Sequence, residues 1–115
     1  MTTSLVERLR AALPAAMRAR DGAAVTALRS ALAAVENAAA VAPQASPFGP
    51  AATGLGATEV PRRIVDDAEA REIVRAEVTE RLAAAEQYDG HGHADRAVRL
   101  RAEADALAAF LDPPT

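Results

Sequence analysis

The sequence predicts an all-α protein, an antiparallel four-helix bundle built from two helical hairpins joined by a long flexible linker. Three observations predict it. Ala supplies 32 of the 115 residues, and with Leu, Arg and Glu it forms a stock of strong helix formers. Apolar residues recur three and four apart in four separate stretches, which is the period of an amphipathic helix. Between the second and third stretches that period stops, and Pro, Gly and Ser take over. The length suits one domain, read here as a first hairpin over 4–41, a linker over 42–63 and a second hairpin over 66–112.

The first helix starts at Ser4, because Ser4-x-x-Glu7 is a capping box in which each side chain satisfies an otherwise orphan backbone N–H. Leu5, Leu9, Leu13 and Met17 then repeat every four residues. Pro14 interrupts the hydrogen-bond ladder, so a kink near Arg10 is expected; the stripe keeps its phase across it, which argues for one helix. Asp21-Gly22 ends this helix and opens the next, with Asp21 as N-cap. The second helix carries the seam Val25, Leu28, Leu32, Val35 and Ala39.

Over 42–63 the expectation is a flexible tether, within which Phe48 and Leu55 are the residues able to dock on a partner. The third helix begins at Asp66 or Asp67 and carries Ala70, Ile73, Val74, Glu77 or Val78, Leu82, Ala85 and Tyr88 on its stripe. Asp67 with Arg71 and Glu77 with Arg81 are i,i+4 pairs in the favourable order. Asp89-Gly90-His91-Gly92-His93 is the turn into the fourth helix, whose stripe is Ala97, Leu100, Ala104, Leu107 and Leu111. Asp112-Pro113-Pro114 stops it.

Charge divides unevenly between the halves. Residues 1–41 hold five Arg against three acids, whereas residues 66–115 hold six Arg against twelve acids. Charge complementarity is therefore expected to fix the pairing of the two hairpins. The net charge of −3 argues against a strong non-specific nucleic-acid binder. With no Cys and no Lys, thiol catalysis, Cys-ligated zinc, lysine Schiff bases and a P-loop are all excluded. Glu7 and Arg8 interrupt any apolar run after Met1, and Asn37 to Thr58 is too broken by Pro and Gly to span a bilayer. A cytoplasmic protein with no membrane association is expected.

The stretch AAMRARDGAAVTALRSALAAVENA (Ala15 to Ala38) resembles the opening helical hairpin of the YqeY-like, or GatB/YqeY, family. There an A-M-K-x-[RK]-D stretch leads into a helix bearing a Leu-Arg pair, here Leu28-Arg29. VRAEVTERLAAAEQYDGHGHADRAVRLRAEADALAAFL (Val74 to Leu111) looks like the family's second hairpin, with Gly92 in the turn and RAEADAL in the last helix. The two blocks cover roughly three-fifths of the chain; the usual C-terminal subdomain of the family has no counterpart after Leu111. The resemblance implies an all-helical module related to the tail of the tRNA-dependent amidotransferase, which contacts tRNA without catalysing transamidation. The carbon–nitrogen ligase activity attached to some family descriptions is read as inherited from that enzyme.

Candidate chemistry is sparse. His91-Gly92-His93, flanked by Asp89 and Asp95, is the one cluster resembling metal ligands, but it lacks a third and fourth ligand at site spacing, and it reads as a polar turn. Asp66-Asp67 and Glu69-Glu72 sit at a helix start, where negative charge complements the dipole. Nothing pairs a nucleophile with a base, so the chain is read as a non-enzyme without metal, cofactor or small-molecule substrate. Arg8, Arg18, Arg20 and Arg29 are the candidate RNA- or phosphate-contacting residues, with Arg29 also placed to pair with an acid from the third helix. The thin, Ala-rich core would gain from a protein partner or a second copy, and Tyr88, Leu107 and Phe110 are the candidate surface for it. The alternative to an RNA role is thus a protein-interaction or dimerising module.

Overall fold

A computed structural model describes residues 3–40 and 63–112, which hold four α-helices and no strand. They are α1 (Leu5–Arg18), α2 (Gly22–Ala39), α3 (Asp67–Gly90) and α4 (Ala94–Leu111). α3 and α4 pack along their length; α1 packs chiefly on α2, and α2 on α4. The result is a bundle of two hairpins. No helix among the described residues is long and apolar enough to cross a membrane.

The helix starts follow their cap chemistry. Ser4 Oγ accepts from Glu7 N at 3.1 Å while Ser4 N donates to the Glu7 carboxylate at 3.1 Å. α1 then runs through Pro14 as one helix. Asp21 caps α2 by accepting from Ala24 N at 3.1 Å, and Asp66 caps α3 by accepting from Glu69 N at 2.8 Å. Because Asp66 holds the cap, Asp67 is released to another task. Its Oδ1 accepts from Leu5 N at 2.7 Å, which satisfies an orphan donor of α1 from the other hairpin.

The core gathers Leu5, Leu9, Leu28, Val74 and Leu107, with Ala27, Ala31 and Ala70 between them. Half of the twelve buried apolar residues are Ala. Small side chains let the helices approach closely, but each contributes far less than the roughly 1.5–3 kcal/mol of a fully buried Leu or Val. The observed stripes are narrower than the periodicity predicts. Met17 is exposed, and so is Leu82, while the neighbouring Arg81 turns inward.

The expected electrostatic pairing of the hairpins is not what joins them. Among the described residues every ion pair lies within one hairpin or at its edge: Arg10 with Glu36 in the first, and Arg71, Arg75, Arg81, Arg99 and Arg101 with acids of the second. Arg63 pairs with Glu69 just ahead of α3. Acids already within reach of an Arg one helical turn away are satisfied locally, at little cost in side-chain freedom. The hairpins meet instead through the core and four side-chain hydrogen bonds, linking Leu5 to Asp67, Arg8 to Phe110, Ser30 to Glu77 and Arg99 to Thr26.

The linker expectation, with Phe48 and Leu55, lies outside the described residues apart from Arg63. Its flanks are informative: Arg63 N donates to Ala39 O at 2.8 Å. The chain therefore returns at Arg63 beside the end of α2.

Candidate nucleic-acid interface

Twelve arginines fall among the described residues, and nine of them have a carboxylate, carbonyl or ring partner there. Arg18, Arg20 and Arg29 stand apart. All three are exposed and none makes an ion pair among the described residues. They sit together around the α1–α2 turn. Arg18 is the last residue of α1, where a cation complements the helix dipole. Arg29 lies two turns into α2, its Nη2 3.9 Å from Met17 Sδ, beside Arg18 in sequence. No acid of α3 faces it as expected; the contact to Glu77 is made by its neighbour Ser30, whose Oγ donates at 2.7 Å.

Arg20 has the unusual backbone. Its φ is +56°, the only positive value at a non-glycine among the described residues. Arg20 N donates to Met17 O and Asp21 N to Ala16 O, a left-handed helix cap that glycine normally supplies. Asp21-Gly22 opens α2 as its spacing predicts, with Asp21 as N-cap, while the left-handed residue that closes α1 is Arg20. A left-handed conformation costs a non-glycine residue of order 1 kcal/mol. The guanidinium is held at the tip of the turn despite that cost.

Arg8, grouped with these three by sequence, is placed elsewhere and committed to the fold. Its Nη2 donates to Phe110 O at 2.8 Å, and its guanidinium lies 5.7 Å from the Phe110 ring centroid. With Arg71 donating to Leu111 O at 3.1 Å, it satisfies the last carbonyls of α4. Among the candidate partner residues, Leu107 is fully buried and belongs to the core, a correction to the sequence reading. Its position in the 3.6-residue stripe was the available signal. Phe110 and Tyr88 are half-buried.

The second hairpin has the opposite electrostatics. Arg81 Nε donates to Glu103 Oε1 at 3.0 Å and its Nη1 to Glu77 Oε1 at 2.8 Å; Arg99 Nε reaches Glu103 Oε2 at 3.2 Å. Burial pulls the Arg81 pKa down, but hydrogen bonds and charge from Glu77 and Glu103 outweigh it and leave the guanidinium more basic than usual. This chain of side chains continues to Ser30 and Thr26 on α2, so it knits three helices. Only the Glu77–Arg81 pair was legible as a spacing; Glu103 looks like one more surface acid until the hairpin folds.

His91 and His93 occupy the α3–α4 turn. His91 Nδ1 lies 2.8 Å from Gln87 O, and His93 packs edge-on against Tyr88 at 5.9 Å between ring centroids. Among the described residues no group of three or more His, Asp or Glu is arranged to hold a metal.

In the comparisons with known proteins, no family model matches the chain, and no curated protein or solved structure matches it significantly. Function is therefore argued from the arginines themselves. Their arrangement offers several N–H donors and three positive charges around one turn, a chemistry suited to phosphate groups.

Proposed function

We propose that this chain is a non-catalytic helical module that binds RNA through the α1–α2 turn, with Arg18, Arg20 and Arg29 contacting phosphates. One observation carries the reading: among the described residues these three arginines make no ion pair, whereas each of the other nine described there has a carboxylate, carbonyl or ring partner. Arg20 adds weight, because it holds a position that glycine would fill without strain. The resemblance of the two hairpins to the YqeY-like family makes tRNA the RNA to test first, as an accessory to tRNA-dependent amidotransferase biology.

Anisotropy of labelled tRNA tests this. Saturable binding is expected, weakening as salt rises, with a slope that falls by about one for each phosphate contact removed. The triple variant Arg18→Ala, Arg20→Ala, Arg29→Ala should lose at least tenfold in affinity, roughly what losing two or three charge-assisted contacts costs. A flat titration at tens of micromolar in low salt would sink the proposal.

A second reading, association with another protein or a second copy, is favoured by the exposed Leu82 and Val98 on the acidic hairpin. Sedimentation over a hundredfold range of concentration separates it from the first: a mass that stays at one chain rejects the homodimer.

A further inference from the structure

Tyr88 is the only tyrosine in the chain, and there is no Trp. It stands near the end of α3 as the shared wall of two open clefts. The smaller, about 370 Å³, contains Arg96 and Arg99, with Asp95 as its carboxylate. The larger, about 570 Å³, has Gln87, His91 and His93 around the same tyrosine. Arg96 lies 5.5 Å from the ring centroid and its Nη1 reaches Tyr88 Oη at 3.4 Å. One aromatic residue thus joins a cationic hollow to one edged with amide and imidazole groups.

These clefts adjoin the basic turn. Arg99 Nη2 is 3.3 Å from Thr26 Oγ1, and a Cβ built on Gly22 would meet the same nitrogen at 3.4 Å. Gly22 lies two residues after Arg20, so the α1–α2 turn meets α4 at Arg99, which also lines the smaller cleft beside Tyr88. Glu103 holds Arg99 by its Nε and leaves the Nη2 end turned toward that seam.

We infer that the two clefts take one nucleotide of a single-stranded RNA, its phosphate against Arg96 and Arg99 and its base against the Tyr88 ring. This rests on the RNA reading above and narrows it to a class of RNA. A phosphate needs positive charge with N–H donors, which Arg96 and Arg99 supply in the smaller cleft; a base needs an aromatic ring with polar groups near it, and the larger cleft has Tyr88 with Gln87, His91 and His93. A duplex keeps its bases stacked inside and cannot bring one to Tyr88, so single strands or unpaired loops are preferred.

Since Tyr88 is the sole source of tyrosine emission, its fluorescence reports this site alone. An eight-nucleotide oligouridylate and a duplex of equal length are titrated into the full chain. Labelled-RNA anisotropy reads total binding and tyrosine emission reads the ring, with free tyrosine correcting for absorbance by the RNA. Expected is saturable quenching by the single strand and none by the duplex, which binds about tenfold more weakly. Tyr88→Leu should bring the single strand down to the affinity of the duplex, while Tyr88→Phe should not. Arg96→Gln, at an exposed position, gives a second reading by anisotropy: weaker single-strand binding with a salt slope lower by about one.

Single-strand binding with unchanged emission, or equal affinity for both RNAs in the parent and in Tyr88→Leu, overturns the inference. The triple arginine variant would still lose the anisotropy signal in that case, leaving the basic-turn reading intact. Quenching that survives the triple variant would do the reverse. Competition by inorganic pyrophosphate with no change of emission in oligouridylate binding would show a phosphate site without stacking, and also overturns it. Silence in both readouts with both RNAs rejects the two together.

Discussion

In the α1–α2 turn Arg20 N donates to Met17 O and Asp21 N to Ala16 O; in the α3–α4 turn Gly92 N donates to Asp89 O and His93 N to Tyr88 O. The spacing is identical, and in each the residue after the cap has positive φ, +56° at Arg20 and +81° at Gly92. The next residue is the N-cap of the following helix. There the likeness stops. The first turn places an Arg where glycine is favoured and caps α2 with Asp21; the second places a glycine correctly and starts α4 at His93, which makes no side-chain cap bond. Each turn satisfies one of its two chemical preferences and neglects the other. The neglected preference in the first is the one that presents a cation to solvent, at the same end where two other arginines have no ion pair among the described residues.

The contrast in charge pairing gives the largest test. Arg81→Met leaves Glu77 and the buried Glu103 short of their counter-charge and should cost about 3 kcal/mol in chemical denaturation. Arg29→Met, on the exposed face of the first hairpin, should change stability by less than about 0.5 kcal/mol. Comparable losses in the two variants would break the distinction between a hairpin that uses its arginines internally and one that does not.

The turns themselves come next. Gly92→Ala should destabilise by about 1 kcal/mol through backbone strain alone, since a Cβ there meets nothing within 4 Å. Arg20→Gly should stabilise by up to about 1 kcal/mol while weakening RNA binding, so melting temperature and affinity are expected to move in opposite directions. An Arg20→Gly protein that melts lower would show that the guanidinium supports the fold. For the caps, Asp21→Ala should cost about 1 kcal/mol and His93→Asp should gain roughly half that. The smallest effect concerns residues 41–62. Because Ala39 and Arg63 are already hydrogen-bonded, replacing the segment by a Gly-Ser loop of about six residues should preserve the fold and raise stability by no more than about 1 kcal/mol, read from a thermal melt.

Much of the fold was legible because it is written locally. Ser4 and Asp21 cap where their spacing to the following residues says they should, Asp66 proves to be the cap of α3 where spacing left Asp66 and Asp67 as alternatives, and the leucines of α1 predict a helix that survives Pro14. The candidate site was legible only in part. Arg18, Arg20 and Arg29 could be named as cations, but so could Arg8, and nothing in its spacing separates it from them. What separates it is the end of α4, more than a hundred residues away in the chain, whose carbonyls it satisfies. Charge counting over the hairpins likewise suggested an electrostatic seam, and it failed because a count does not record which acids already have a neighbour.

Residues three or four apart are enough to make this an all-helical chain with caps at Ser4 and Asp21, a third helix opening at Asp66 or Asp67, and four apolar stripes. Tertiary structure alone decided which arginines are used and which are left over, that Asp67 serves α1, that Leu107 is core, and that Tyr88 adjoins the basic turn through Arg99. Those outcomes depend on which groups meet across helices. A side chain's partner in space, unlike its neighbour one turn away, is set by how the hairpins pack.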